Sequence, residues 1–168
     1  RGAFDGFRRL PRLALVYGTG VIREEDEYGY EDLEDEITPE KMSRALKQVR
    51  ENPRIKAVVV RLDSPGGSAI ASDLIWREMN LVRKEKRLIV SMADVVASGG
   101  YYLAMAGEKI LAEPVSLTGS IGVIAGKFNL SGLYHKLGLK KEQVKRGEYA
   151  DLFSDYTGLT QGREEKIR

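Results

Sequence analysis

The sequence of 168 residues contains no cysteine, one histidine and one tryptophan. Without cysteine there is no disulfide framework and no thiolate zinc site. The single histidine, His135, excludes a multi-histidine metal centre and leaves a Ser-His-Asp hydrolase only one candidate base. No metal and no cofactor is expected. No run approaches the ~18 uninterrupted apolar residues that a transmembrane helix needs, and no positive–apolar–small leader opens the chain. Charge of neither sign dominates: 27 basic residues oppose 25 acidic ones. That balance does not describe a strongly basic nucleic-acid binder, so no nucleic-acid partner is expected.

What is present points to a folded catalytic-size unit. The composition, 42% hydrophobic, is too apolar for a disordered chain, and the length suits one domain with a sizeable core, 1–168. The chain opens Arg1-Gly2-Ala3-Phe4 and closes Glu165-Lys166-Ile167-Arg168 inside a helical pattern, and reads as a piece of a longer protein.

Strand and helix signals alternate. Leu13–Tyr17 reads as a first buried strand. The Arg23–Glu36 stretch is mostly acidic and reads as a solvated loop, with an acidic partner-binding patch as the alternative. Thr38-Pro39 is an N-cap followed by a favoured first helical residue, and Met42, Ala45, Leu46 and Val49 recur at helical spacing up to Asn52-Pro53. Ile55–Leu62 is a β-branched run suited to a strand buried on both faces. A helix bearing Ile70, Leu74, Ile75, Met79 and Val82 follows, then a strand over Arg87–Met92. A small-residue turn, Ala93–Gly100, leads into a short helix with Tyr101 to Met105. Lys109–Glu113 reads as a further strand, and a short helix follows Leu130. This alternation predicts an α/β architecture with largely parallel pairing.

Two turns carry the chemistry. Ser64-Pro65-Gly66-Gly67-Ser68 and Ala97-Ser98-Gly99-Gly100-Tyr101 each put glycine between a buried strand and a helix start. There, exposed backbone N–H groups and the positive helix end favour developing negative charge. Neither turn has the spacing of a phosphate loop or of a dinucleotide fingerprint. By pattern alone they also suit plain strand-to-helix connections. Ser98 sharpens the case, because a serine among small residues at a helix start has an accessible hydroxyl. The N–H groups of Gly67 and Gly99 could converge as a two-donor oxyanion hole, each worth roughly 3 kcal/mol in the transition state. Serine needs a base. His135 lies on an amphipathic segment and reads as a surface histidine, which turns attention to lysine. A lysine base must be neutral, and so requires burial or a cationic neighbour.

Three motifs together resemble the signal peptide peptidase A family of the ClpP/crotonase superfamily. They are Val60-Arg-Leu-Asp-Ser-Pro-Gly-Gly-Ser68, Ser91-Met-Ala-Asp-Val-Val-Ala-Ser-Gly-Gly-Tyr-Tyr102 and Leu117-Thr-Gly-Ser-Ile-Gly122. The resemblance runs from the first strand to about Gly147. It implies a ClpP/crotonase-like α/β fold of repeated β-β-α units with a mostly parallel sheet. It implies a Ser/Lys endopeptidase with Ser98 as nucleophile and Gly67 and Gly99 as oxyanion donors, Gly66 being the turn partner of Gly67. Ser120 would orient the base lysine. Ser68, Ala69 and Ile70 on one side, and Ile121, Gly122 and Val123 on the other, would flank an extended peptide. ClpP uses a histidine in roughly the region that here reads Ser116 to Ser120, and this chain has none there.

One position departs from the pattern. Single-domain relatives carry their lysine in the stretch that here reads Val144-Lys-Arg-Gly-Glu-Tyr-Ala-Asp151, and Ala150 occupies the corresponding place; Lys145 is out of register. The chain therefore resembles the C-terminal domain of a tandem-domain member, whose lysine comes from a companion N-terminal domain or a neighbouring subunit. The family implies cleaved signal peptides and other apolar peptides as substrates, homo-oligomers, and membrane association with the catalytic domain on the extracytoplasmic side. Two alternatives remain: a catalytically incomplete scaffold domain of the same oligomer, and a crotonase-like acyl-CoA enzyme, which would need a coenzyme pocket and usually a glutamate.

Overall fold

The computed structural model of the chain describes residues 11–24 and 36–167. Most of the acidic stretch therefore lies outside the described residues. The chain divides into two compact units, Arg1–Val123 and Ile124–Arg168.

The first unit is built on parallel strands. β1 (Arg12–Thr19), β4 (Ile55–Ser64), β5 (Arg87–Ala97) and β6 (Lys109–Leu111) lie in the order β1-β4-β5-β6, and β7 (Leu117–Gly119) also pairs with β5. Two-residue strands β2 (Val21–Ile22) and β3 (Glu36–Ile37) pair separately. Every pairing among the described strands is parallel. Parallel neighbours need crossovers, and α1 (Pro39–Glu51), α2 (Ala69–Glu85) and α3 (Gly99–Ala104) supply the helical ones. The mixed α/β, mostly parallel fold expected from the sequence is thus observed.

Helix α1 begins where its capping signal stands: the Thr38 hydroxyl accepts the Lys41 N–H at 3.3 Å, and Pro39 occupies the first turn. Its buried stripe of Met42, Leu46 and Val49 faces the core. At its other end Lys86 reaches across from the end of α2, and Nζ donates to the carbonyls of Val49 and Asn52, both at 2.6 Å. A helix terminus leaves its last carbonyls without intrahelical partners, and that of Asn52 also accepts the Ile55 N–H at 3.1 Å. Val58, Val60 and Leu62 of β4 and Leu88, Val90 and Val96 of β5 are buried against Leu46, Ile75, Met79 and Val82. Full burial of each such side chain contributes about 1.5–3 kcal/mol.

Three readings are corrected. Leu13–Tyr17 is buried on one side alone, since Leu13, Leu15 and Tyr17 are 63%, 50% and 65% exposed beside buried Val16. Ala93–Ala97 continues β5 instead of turning, because Val95, Val96 and Ala97 pair with Leu117, Thr118 and Gly119. That pairing also makes β7 a strand in a segment without a strand signal of its own. β5 thus carries β6 along its first half and β7 along its second.

The second unit holds α4 (Ser131–Lys136), α5 (Gln161–Ile167) and connecting turns. Its fixed point is Asp151, 4% exposed, whose carboxylate accepts from Lys145 Nζ at 3.1 Å and from Arg163 Nη2 at 2.7 Å. The Lys145 hydrogen bond, with the Arg163 charge beside it, holds the Asp151 carboxyl below its usual range. Asp155 is lowered likewise by hydrogen bonds from Lys141 and Tyr134.

Candidate active site

The turns singled out in the sequence follow the C-terminal ends of β4 and β5, the edge at which open parallel α/β sheets bind ligands. After β4 the chain must reverse into α2 within four residues. Ser64, fully buried, accepts the Gly66 N–H on its hydroxyl at 3.1 Å and holds the turn closed. Gly66 (φ 101°) and Gly67 (φ 151°) have positive φ, a backbone state glycine adopts without penalty. Strand β2 then clasps the turn: Ile22 N–H donates to Gly66 O at 2.9 Å, and Ser68 N–H donates to Ile22 O at 2.8 Å. The fit is close enough that a Cβ on Gly67 would lie 2.0 Å from Ile22 O. Ser68 caps α2 by accepting the Ala71 N–H at 3.2 Å, and its hydroxyl donates to Glu24 Oε1 at 2.6 Å.

After β5 the reversal is tighter still. Ser98 is the N-cap of α3, with φ 49° and ψ −118°. A non-glycine residue there carries strain of order 1–3 kcal/mol and persists only where its surroundings over-determine it. Several bonds do so. Ser98 N–H donates to Gly119 O at 2.8 Å, and Ser98 O accepts the Tyr102 N–H at 2.9 Å. Upstream, the Asp63 carboxylate accepts the Val95 N–H at 3.1 Å, where the β4–β5 register shifts. The Ser98 side chain caps nothing and is half-buried. The result is a strained strand-to-helix turn with an unengaged serine hydroxyl, a geometry like the one that presents the nucleophile in α/β-hydrolases.

The two turns touch. A Cβ on Gly66 would lie 2.7 Å from Gly99 N and 2.8 Å from Ser98 Cβ, and one on Gly99 would lie 3.4 Å from Gly67 N. Ser98, Gly66, Gly67 and Gly99 therefore form one cluster, and the N–H groups of Gly67 and Gly99 have no hydrogen-bond partner among the described residues. Two free N–H groups beside a free hydroxyl can receive a carbonyl carbon and the negative oxygen that develops from it.

The remaining candidates divide. Ala69 and Ile70 form the exposed first turn of α2. Ser120 (φ 52°) directly follows β7, exposed, and is tied to Ser98 only through the neighbouring carbonyl of Gly119. Ile121, Gly122 and Val123 run on from it, exposed and outside regular secondary structure. Ala150 lies in an exposed turn of the second unit, where Lys145 is engaged with Asp151. Among the described residues no lysine is hydrogen-bonded to Ser98. His135 is exposed, with its ring stacked on Tyr156 at 6.4 Å. No group of acidic and histidine side chains among the described residues could hold a metal. Sequence reasoning missed the clasp by Ile22 and the props from Ser64, Asp63 and Ser72. Ser72 is buried, with its hydroxyl 2.5 Å from a Cβ built on Gly99. Apart from the Ser64 hydrogen bond to Gly66 two residues on, their roles arise from contacts across 27–45 residues of chain, which leave no local pattern.

The class is a mostly parallel α/β fold with a strained serine at a helix start and, beside it, two glycine N–H groups without partners among the described residues. The chain belongs to peptidase family S49: residues 80–168 match that family's sequence profile. It is 52% identical over 116 residues to the chloroplastic serine protease SPPA of Arabidopsis thaliana, covering 69% of this chain and 17% of that protein. It is 34% identical over 141 residues to Protease 4 of Haemophilus influenzae, covering 83% of this chain and 22% of the relative. The chain thus spans about a fifth of the length of these relatives. Among solved structures, a serine-to-alanine mutant of the 1510-N membrane-bound stomatin-specific protease superposes with a TM-score of 0.53 at 19% identity, over 70% of this chain and 51% of that one.

Proposed function

We propose that this chain carries the nucleophile half of a Ser/Lys endopeptidase site. Ser98 Oγ attacks a peptide carbonyl while a neutral lysine takes its proton. The developing oxyanion is held by the N–H groups of Gly67 and Gly99, preorganised donors that act only where charge appears. Collapse breaks the C–N bond as the lysine returns its proton to the leaving amine. Water, deprotonated by the same lysine, then releases the acyl group from Ser98. The lysine comes from a companion domain or a neighbouring subunit of a homo-oligomer, since Ala150 stands where a resident lysine is expected, and Ser120 orients it. Extended peptide lies between Gly66–Ile70 and the open segment Ile121–Val123, whose unpaired backbone suits strand addition.

The observation that carries this reading is the meeting of Gly66 with Ser98 and Gly99, which sets two free N–H groups beside a strained serine. Substrates are apolar peptides such as cleaved signal peptides, and the full protein works at a membrane with this domain on the extracytoplasmic side. Among the described residues no helix is long and apolar enough to cross a membrane. A fluorophosphonate probe on the full-length protein tests the reading. Labelling should map to Ser98 and vanish in Ser98→Ala; a folded full-length protein that stays unlabelled overturns it.

A further inference from the structure

Where the two turns meet, they meet glycine to glycine. Gly66 lies against Gly99, and Gly99 against Ser72 and Gly67. Such a junction permits close approach, and the α2 side chain set against Gly99 is the small Ser72, whose hydroxyl donates to Ser68 O at the start of its own helix. The separation of the Gly67 and Gly99 N–H groups must also be held from further out. One outer side chain does this: Tyr102 of α3 donates its phenolic O–H to Asp73 Oδ1 of α2 at 2.8 Å. Its ring also packs on Trp76 of α2, centroids 5.5 Å apart. Asp73 and Trp76, three residues apart, share a face of α2 and grip the same ring from its polar tip and its body.

Tyr102 is also bonded to the nucleophile's own turn, because its backbone N–H donates to Ser98 O at 2.9 Å. Six residues separate Asp73 from Gly67, and three separate Tyr102 from Gly99. A rotation of α3 that displaced Gly99 N–H would have to break the phenol–carboxylate bond. Among the described residues this is the only side-chain hydrogen bond between α2 and α3.

We infer that Tyr102 and Asp73, with Trp76, form a positioning lock that sets the spacing of the two oxyanion donors and so governs transition-state stabilisation at Ser98. This rests on the proposed peptidase reading. Neither side chain is among the groups proposed above to meet the peptide, so both are positioning residues. A donor misplaced by a fraction of an ångström weakens binding of the transition state alone, so the loss belongs in kcat and not in KM.

The test uses the full-length protein, a fluorophosphonate probe and an apolar peptide substrate. Tyr102→Phe, which removes one hydroxyl from an outer position, should slow Ser98 labelling and lower kcat by about tenfold, with KM and melting temperature unchanged. Asp73→Ala should match it. Asp73→Asn, which keeps an Oδ1 acceptor, should restore most of the rate. The Asp73→Ala/Tyr102→Phe pair should be no slower than the slower single variant, because one bond is lost once. Wild-type rates in a folded Tyr102→Phe protein, a loss confined to KM, or an Asp73→Asn as slow as Asp73→Ala would each overturn the lock. Wild-type protein unlabelled at Ser98 overturns the peptidase reading, and the lock with it.

Discussion

Ser98 and Gly119 share a backbone hydrogen bond of 2.8 Å, from the serine N–H to the glycine carbonyl. It ties the strained turn after β5 to the end of β7, the neighbouring strand on the same edge. Residue 98 is thereby held at φ 49° although its side chain disfavours that state.

Strain at Ser98 has a measurable consequence. Ser98→Gly should relieve an unfavourable backbone state while adding freedom to the unfolded chain, for a net stabilisation of about 1 kcal/mol. Chemical denaturation should show a higher midpoint for a protein no longer labelled by a fluorophosphonate. An equal or lower midpoint would mean that the serine costs nothing to place.

Gly66→Ala tests the junction of the turns. The new Cβ would meet Gly99 N at 2.7 Å and Ala97 O at 2.9 Å, both rigid backbone. At φ 101° the substitution is also strained, and a loss of more than about 1 kcal/mol is expected. Ser98 labelling should fall in any variant that still folds. A wild-type labelling rate would separate the oxyanion geometry from this contact.

Lys86 makes a purely structural prediction. Lys86→Met keeps the aliphatic stem but removes the Nζ donor from the Val49 carbonyl and from the Asn52 carbonyl, which keeps only the Ile55 N–H. A loss of about 1–2 kcal/mol is expected, read as a lower denaturation midpoint with faster hydrogen exchange at the C-terminal end of α1. Rates at Ser98 should not change.

The second unit should be acid-sensitive. Because the Asp151 carboxyl is lowered in the fold, first by Lys145 and also by Arg163, its contribution is complete above the ordinary carboxylate range. It is lost as pH falls through the depressed folded value. Hydrogen exchange across residues 145–163 should accelerate below about pH 4, and Asp151→Asn should already exchange faster at neutral pH with a flatter acid response. Identical pH profiles for the two proteins would refute the assignment.

Local order was legible along the chain wherever the signal is local. The β-branched run of β4, the Thr38-Pro39 start of α1 and the glycine turns at 66–67 and 99–100 act through backbone sterics and capping, which depend on nearest neighbours. The serine and its two glycines could be named for the same reason. Leu13–Tyr17 was read as buried because an apolar run does not say whether both sides of a strand are covered. Residues 93–97 were misread because small residues suit a turn as well as a strand, and only the distant partner β7 decides between them.

Propensity and periodicity are written residue by residue, and they specify α1, α2, β4, the first half of β5 and the residue types at the two turns, but not β7 or the second half of β5. Only the tertiary structure decided that Gly66 would touch Gly99, that Ile22 would clasp Gly67 and that Tyr102 would reach Asp73. Those contacts join segments 29–45 residues apart, and they exist only once the sheet has brought the ends of β4 and β5 side by side.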